Sequence, residues 1–104
     1  MRTITKQSVS AFLNKGTLKK QNMHVFFDRY DDKSRMLLHN NCIATYDYQE
    51  NILSVSNCGW FSNTTKERLN ALEGVNIQQK NFVWYLNGEE WNGEKIDINL
   101  NIKQ

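Results

Sequence analysis

The first apolar positions of the chain fall at helical spacing. Val9, Phe12 and Leu13 stand at i, i+3 and i+4, which draws one apolar stripe along a short helix. Thr5 or Ser8 is placed to cap it, the segment ends near Asn14, and Gly16 supplies a left-handed stop. A polar, basic loop over residues 19–22 follows.

From Met23 the period changes to two. Met23, Val25 and Phe27 fall on one side of a strand, and His24, Phe26 and Tyr30 on the other. Bulk on both sides predicts a strand covered on both faces or lying beside a helix. A polar turn at Asp31-Asp32-Lys33 leads to a strand over 35–39, a tight Asn40-Asn41 turn and a strand over 42–46. A turn around 49–51 and a strand over 52–56 complete an antiparallel meander.

Gly59 breaks this pattern. Residues 64–72 predict a second short helix, because Thr64 and Glu67 have capping-box spacing and Leu69 and Leu72 make a narrow apolar stripe. Gly74 closes it. Val75, Ile77 and Gln79 then alternate as a strand, Lys80-Asn81 reads as a turn, residues 82–86 form an aromatic strand, and Asn87-Gly88 is a two-residue hairpin turn. At the end of the chain Ile96, Ile98, Leu100 and Ile102 alternate strictly with Asp97, Asn99, Asn101 and Lys103. Such a strand must bury one face, in its own sheet or on the edge of a neighbouring copy. The pattern predicts one α+β domain over residues 1–104: a mostly antiparallel sheet of about six or seven short strands with two short helices.

Composition narrows this picture. At 104 residues, 39% hydrophobic and 12% aromatic, the chain has material for one small core. It has no proline and fourteen asparagines, so collagen-like and Pro-rich linker classes are excluded, and Gly and Asn make the turns. No apolar run approaches the roughly 20 residues that cross a bilayer, and residues 1–6 carry no apolar signal segment. The expectation is a soluble protein of the cell interior without a membrane partner. The net charge of +2 is unevenly spread: residues 1–35 carry eight basic and three acidic groups, the remainder five and eight. Lys15, Lys19 and Lys20 therefore form a candidate contact for an anion or nucleic acid.

Reactive constellations are absent from the pattern. His39-x-x-Cys42 with Cys58 and His24 supplies two His and two Cys, but the spacing matches no zinc knuckle. The cysteines are expected as reduced, buried small hydrophobes. A Cys58/His39 couple lacks a third group to orient it, and the acid pairs Asp31-Asp32 and Glu89-Glu90 splay apart. The reading is a non-enzymatic protein with no catalytic residue, metal or cofactor.

Binding is better provided for. Trp84 reads as core, whereas Tyr85 on the opposite face is free for a ligand or subunit. Trp91 folds back on its hairpin or anchors an interface. Lys66 and Arg68 read as exposed cations on a surface helix. The alternative is that they stand with Thr64, Thr65 and the free helix amides around an anion, beside Gly59-Trp60.

The motifs Leu38-His39-Asn40-Asn41-x-Ile43-Ala44, Gly59-Trp60, the run Thr64 to Leu72, Val75-x-Ile77-x-Gln79-Lys80, Trp84-Tyr85-Leu86-Asn87-Gly88, Trp91 and Gly93 occur in series. In this order they resemble a small uncharacterised protein family of tailed bacteriophages, over roughly residues 36–93. The resemblance implies no reaction. It implies work in the host cytoplasm as an accessory protein that binds a host or phage protein, of the host-takeover or anti-defence type. Three alternatives stand beside it: nucleic-acid binding by the basic N-terminal face and sheet aromatics, capture of a small nucleotide, and a minor place in the virion. Homo-oligomerisation through the C-terminal strand is compatible with each.

Overall fold

The computed structural model describes residues 2–99. Helix α1 (Thr3–Leu13) starts earlier than its capping residues suggest. Arg2 occupies the cap position without a side-chain bond, and the buried stripe is Ile4, Thr5, Ser8 and Phe12. Ser8 does not cap; its hydroxyl donates to the Ile4 carbonyl one turn back (2.7 Å). Leu13 stays 46% exposed. Burial of Ile4 with Phe12, two turns apart, sets the face.

Six strands form one antiparallel sheet: β1 (Leu18–Lys20), β2 (Met23–Asp28), β3 (Lys33–Leu38), β4 (Asn41–Asp47), β5 (Ile52–Val55) and, beside β5, the last strand β9 (Ile96–Asn99). After β5 comes helix α2 (Asn63–Asn70). A second, three-stranded sheet follows from β6 (Ile77–Lys80), β7 (Val83–Leu86) and β8 (Glu89–Glu90). The class is α+β, mostly antiparallel sheet with two helices. The described residues hold nine strands in two sheets; β1 and β8 are too short and too polar to leave an alternating pattern.

The meander is as the period of two predicts. Met23 and Val25 on β2, Ser34, Met36 and Leu38 on β3, and Leu53 and Val55 on β5 are buried on one face. α1 packs against β2, so the bulky strand lies beside a helix, with His24 and Phe26 half-buried on its other side. Leu53 pairs with Ile98 and Val55 with Ile96, so β9 joins its own sheet, but its apolar face is only partly covered: Ile98 packs against the core and Ile96 stays 43% exposed. Leu100 and Ile102 of the alternating tail lie outside the described residues.

Two turns sit one residue from their expected places. The β3–β4 turn is His39-Asn40, both at positive φ, and the β6–β7 turn is Asn81-Phe82, also both at positive φ. Burial of Leu38 and of Trp84 fixes which residue ends each strand. One hydrophobic cluster joins all layers: Ile4 and Phe12 of α1, the inner face of the large sheet, Leu69 and Leu72 at α2, and Ile77, Trp84, Leu86 and Trp91 around the small sheet.

Candidate functional site

The segment from Val55 to α2 builds the site. Asn57 is buried, at 1% exposure, and its groups shape the turn that follows. Its Oδ1 accepts from the Gly59 amide (2.8 Å), and its carbonyl accepts from the Trp60 amide (2.8 Å). Cys58 and Gly59 both take positive φ to close this turn. The Asn57 amide donates to the Gly93 carbonyl (3.1 Å). Its side chain lies flat on Gly93, where an added Cβ would stand 2.1 Å from Oδ1. Nδ2 of Asn57 has no hydrogen-bond partner among the described residues.

This turn walls a cleft of about 450 Å³ between the start of β4 and the first turn of α2. Leu38 and Ile43 give it apolar surface, Asn57 and His39 polar groups, and Trp60, Thr64 and Thr65 the opposite side. Trp60 is 61% exposed and Phe61 57%. The Phe61 ring packs edge-on against Trp84 at 5.1 Å. Among the described residues the cleft lining contains no Lys or Arg.

The N-cap of α2 lies two residues before the expected one. Ser62 is the N-cap; its Oγ accepts from the Thr65 amide (3.1 Å) and lies 2.9 Å from the Thr65 hydroxyl. Ser62 therefore takes the role expected of Thr64, and Glu67 is released from the capping box. Glu67 instead accepts from the Thr5 hydroxyl (2.7 Å) and from Arg68. Partial burial pushes the Glu67 carboxyl up, but the Thr5 hydroxyl and the Arg68 guanidinium outweigh it and hold the group below its ordinary value.

Of the site residues expected from the sequence, the fold brings three together, Trp60, Thr64 and Thr65, and parts the others from them. Arg68 is not an exposed cation: it is 1% exposed, donating to Thr5 Oγ1 (2.8 Å) and Glu67. Lys66 turns away to Gln79 Oε1 (2.8 Å) and stands over the Trp84 ring at 5.7 Å. Trp91 folds back: it is buried, its amide donates to the Trp84 carbonyl (2.9 Å), and its Nε1 donates to the Glu94 carbonyl (2.8 Å). Tyr85 is half-buried in a shallow groove with Gln78, Gln79 and Lys80.

On the basic N-terminal face, Lys15 pairs with Asp32 (3.7 Å) and stands over Phe27 and Tyr48. Lys19 is exposed, and Lys20 donates to Gln7 (3.2 Å). Both cysteines are exposed free thiols, against the buried reading. Cys58 Sγ donates to the Cys42 carbonyl (3.1 Å). Among the described residues no group of three His, Cys, Asp or Glu side chains is placed to hold a metal, and no helix is long and apolar enough to cross a membrane.

Sequence reading missed Asn57, Ser62 and Phe82. Asn57-Cys58-Gly59 carried a usable signal, since Asn two residues before Gly is the pattern of a side chain bonding the backbone of its own turn.

A family model described as Kyanoviridae Gp96 protein matches residues 1–101. The match takes in the first 35 residues, which the motif series at 36–93 left aside. No curated protein and no solved structure matches the chain.

Proposed function

The chain belongs to the Kyanoviridae Gp96 protein family of phages, and on that premise we propose that it is a non-enzymatic accessory protein that acts by binding a host or phage protein at the Trp60 cleft. One observation carries this reading. Trp60 and Phe61 are consecutive, more than half exposed, and stand beside an apolar-floored cleft. Trp in such a place is the residue type most enriched among the few that dominate binding energy. The missing cations favour a partner side chain over a phosphate group, which Arg or Lys would meet.

The test is affinity capture from infected cells with the wild-type chain and Trp60→Ser, followed by titration of each purified captured protein. The expected result is a partner whose affinity falls on the order of tenfold or more with Trp60→Ser. A set of captured proteins that all bind both chains equally overturns the reading.

A further inference from the structure

The outer edges of the two sheets are β1 and β9 in the large one, β6 and β8 in the small one. Three of them are guarded against pairing with another chain. β1 is three residues long, with Lys19 and Lys20 exposed on it. β8 is a pair of exposed glutamates. β6 has its Ile77 amide and carbonyl occupied by the Asn70 side chain, and it ends on exposed Lys80. Short length, a row of like charges and covered backbone groups are the usual means of keeping an edge unpaired. Among the described residues β9 has none of the three: it runs for four residues, and its edge carries one charge of each sign, Lys95 and Asp97.

The ladder fixes which backbone groups of β9 face outward. Along an antiparallel strand these groups turn alternately to one neighbour and to the other. The Ser56 amide donates to the Ile43 carbonyl on the β4 side (2.9 Å). Val55 and Leu53 therefore turn theirs to β9, where they meet Ile96 and Ile98. Asp97, between those two, presents its amide and carbonyl to the open side. The same register, carried one residue back, sets Lys95 opposite Ser56 with its groups outward as well. The chain already runs beside this sheet there, since the Gly93 carbonyl takes the Asn57 amide (3.1 Å). Lys95, Ile96 and Asp97 are all exposed, Ile96 at 43%. Neither Lys95 nor Asp97 has an ion pair among the described residues; Asp97 accepts from the Ser54 hydroxyl (2.5 Å).

We propose that β9 pairs antiparallel with β9 of a second copy, across a twofold axis at Ile96, and so joins two six-stranded sheets. Outward-facing residues must meet outward-facing residues, so Asp97 can stand opposite Asp97, Asn99 or Lys95 of the second copy. The first choice sets two carboxylates face to face, which destabilises a strand pair. The second matches no opposite charges. The third sets Lys95 against Asp97 on both sides of the axis. It also sets Ile96 against Ile96 in a non-hydrogen-bonded pair, where facing side chains come closest. The exposed apolar residue is thereby covered, and the chain itself supplies the charges that its edge needs. The contact is smaller than those of stable dimers, so association is weak and concentration-dependent. It lies apart from the Trp60 cleft and does not depend on the reading given to that cleft.

Sedimentation of the full chain from about 10 µM to about 1 mM reads the dimer, with thiols kept reduced because Cys42 and Cys58 are exposed. The wild type is expected to dimerise as concentration rises. Lys95→Asp and Asp97→Lys each set like charges face to face, and each is expected to weaken the dimer on the order of tenfold or more. The double variant Lys95→Asp/Asp97→Lys exchanges the two charges and is expected to dimerise as the wild type does. So is an equimolar mixture of the two single variants, in which each edge again meets its opposite. Recovery in the mixture separates pairing from folding, since a variant that fails to fold has no edge to pair. Trp60→Ser is expected to dimerise like the wild type. A wild type that stays monomeric throughout overturns the proposal. So does a dimer that either single variant leaves intact, one whose loss is not restored by both the exchange and the mixture, or one that Trp60→Ser abolishes. A captured protein whose binding falls with Asp97→Lys, while the chain itself stays monomeric, takes the edge for that partner and overturns the second copy as its occupant.

Discussion

Arg68 is the largest of the fully buried side chains, and its partners come from distant parts of the chain: Thr5 on α1, Asn22 in the loop before β2, and the adjacent Glu67. Arg68→Ala leaves Glu67 without its guanidinium, and is expected to lower stability by about 3–5 kcal/mol in urea melts. The buried positions Thr65, Arg68, Leu69 and Leu72 do follow helical spacing. Local pattern nevertheless marks a cation as solvent-facing. Partners far away in the chain, Thr5 at sixty-three residues and Asn22 at forty-six, give it a reason to be inside. Glycines show the same dependence on distant contacts. Gly88 and Gly93 share a positive φ, but a Cβ on Gly88 meets nothing within 4 Å, whereas one on Gly93 strikes Asn57. Gly88→Ala is expected to cost about 1–2 kcal/mol from backbone strain, and Gly93→Ala about 1–3 kcal/mol more, because Asn57 must move. Equal thermal shifts for the two would remove Asn57 as the support of the cleft.

At the level of elements, the choice of cap decides where α2 begins and hence what walls the cleft. Ser62 and Thr65 bond each other and the Thr65 amide, while Thr64 sits one step inside the helix with its side chain toward the cleft. Ser62→Ala is expected to cost about 1 kcal/mol, and Thr64→Ala less than about 0.5 kcal/mol, by chemical denaturation. The reverse order would return the start of the helix to Thr64. Thr64 and Glu67 have the capping-box spacing and drew the expected start, whereas Ser62, followed three positions on by Thr65 and not by Glu or Gln, lacks that signature. The strands were more legible. Alternation at Met23 and Val25, at Met36 and Leu38 and at Leu53 and Val55 reports burial on one face directly. Turns were legible in kind but not in register, since adjacent Asn residues tolerate positive φ about equally and packing of Leu38 chooses between them. The split into two sheets had no local signature: β6 is closed at Ile77 by the Asn70 side chain, which accepts from the Ile77 amide (2.6 Å) and donates to its carbonyl (3.0 Å). An amide on a helix here stands in for a neighbouring strand.

Across the whole molecule, carboxylates hold distant segments together, and this gives stability a pH dependence of defined sign. Glu67 ties α2 to α1 through Thr5. Asp28 ends β2 and accepts from the Tyr30 and Asp31 amides (3.0 and 3.3 Å) and from Arg35 (3.3 Å), so it fixes the β2–β3 turn. In each case burial pushes the carboxyl up, and hydrogen bonds and an arginine outweigh it, leaving the folded group below its ordinary value. A carboxyl held low binds a proton less readily when the chain is folded than when it is unfolded. Its contribution is therefore complete above the ordinary carboxylate range and is lost as pH falls through the folded value. Tm is expected to hold steady from neutral pH down to about 5, and to fall progressively below it. Glu67→Gln lowers Tm at neutral pH by removing the charge beside Arg68, and flattens the acid fall because one of the carboxyls held low in the folded chain is gone. Melts of both chains from pH 7 to pH 3 check this. Parallel curves would show that Glu67 titrates alike in the folded and unfolded chain, and that the bridge between the two helices does not depend on its charge.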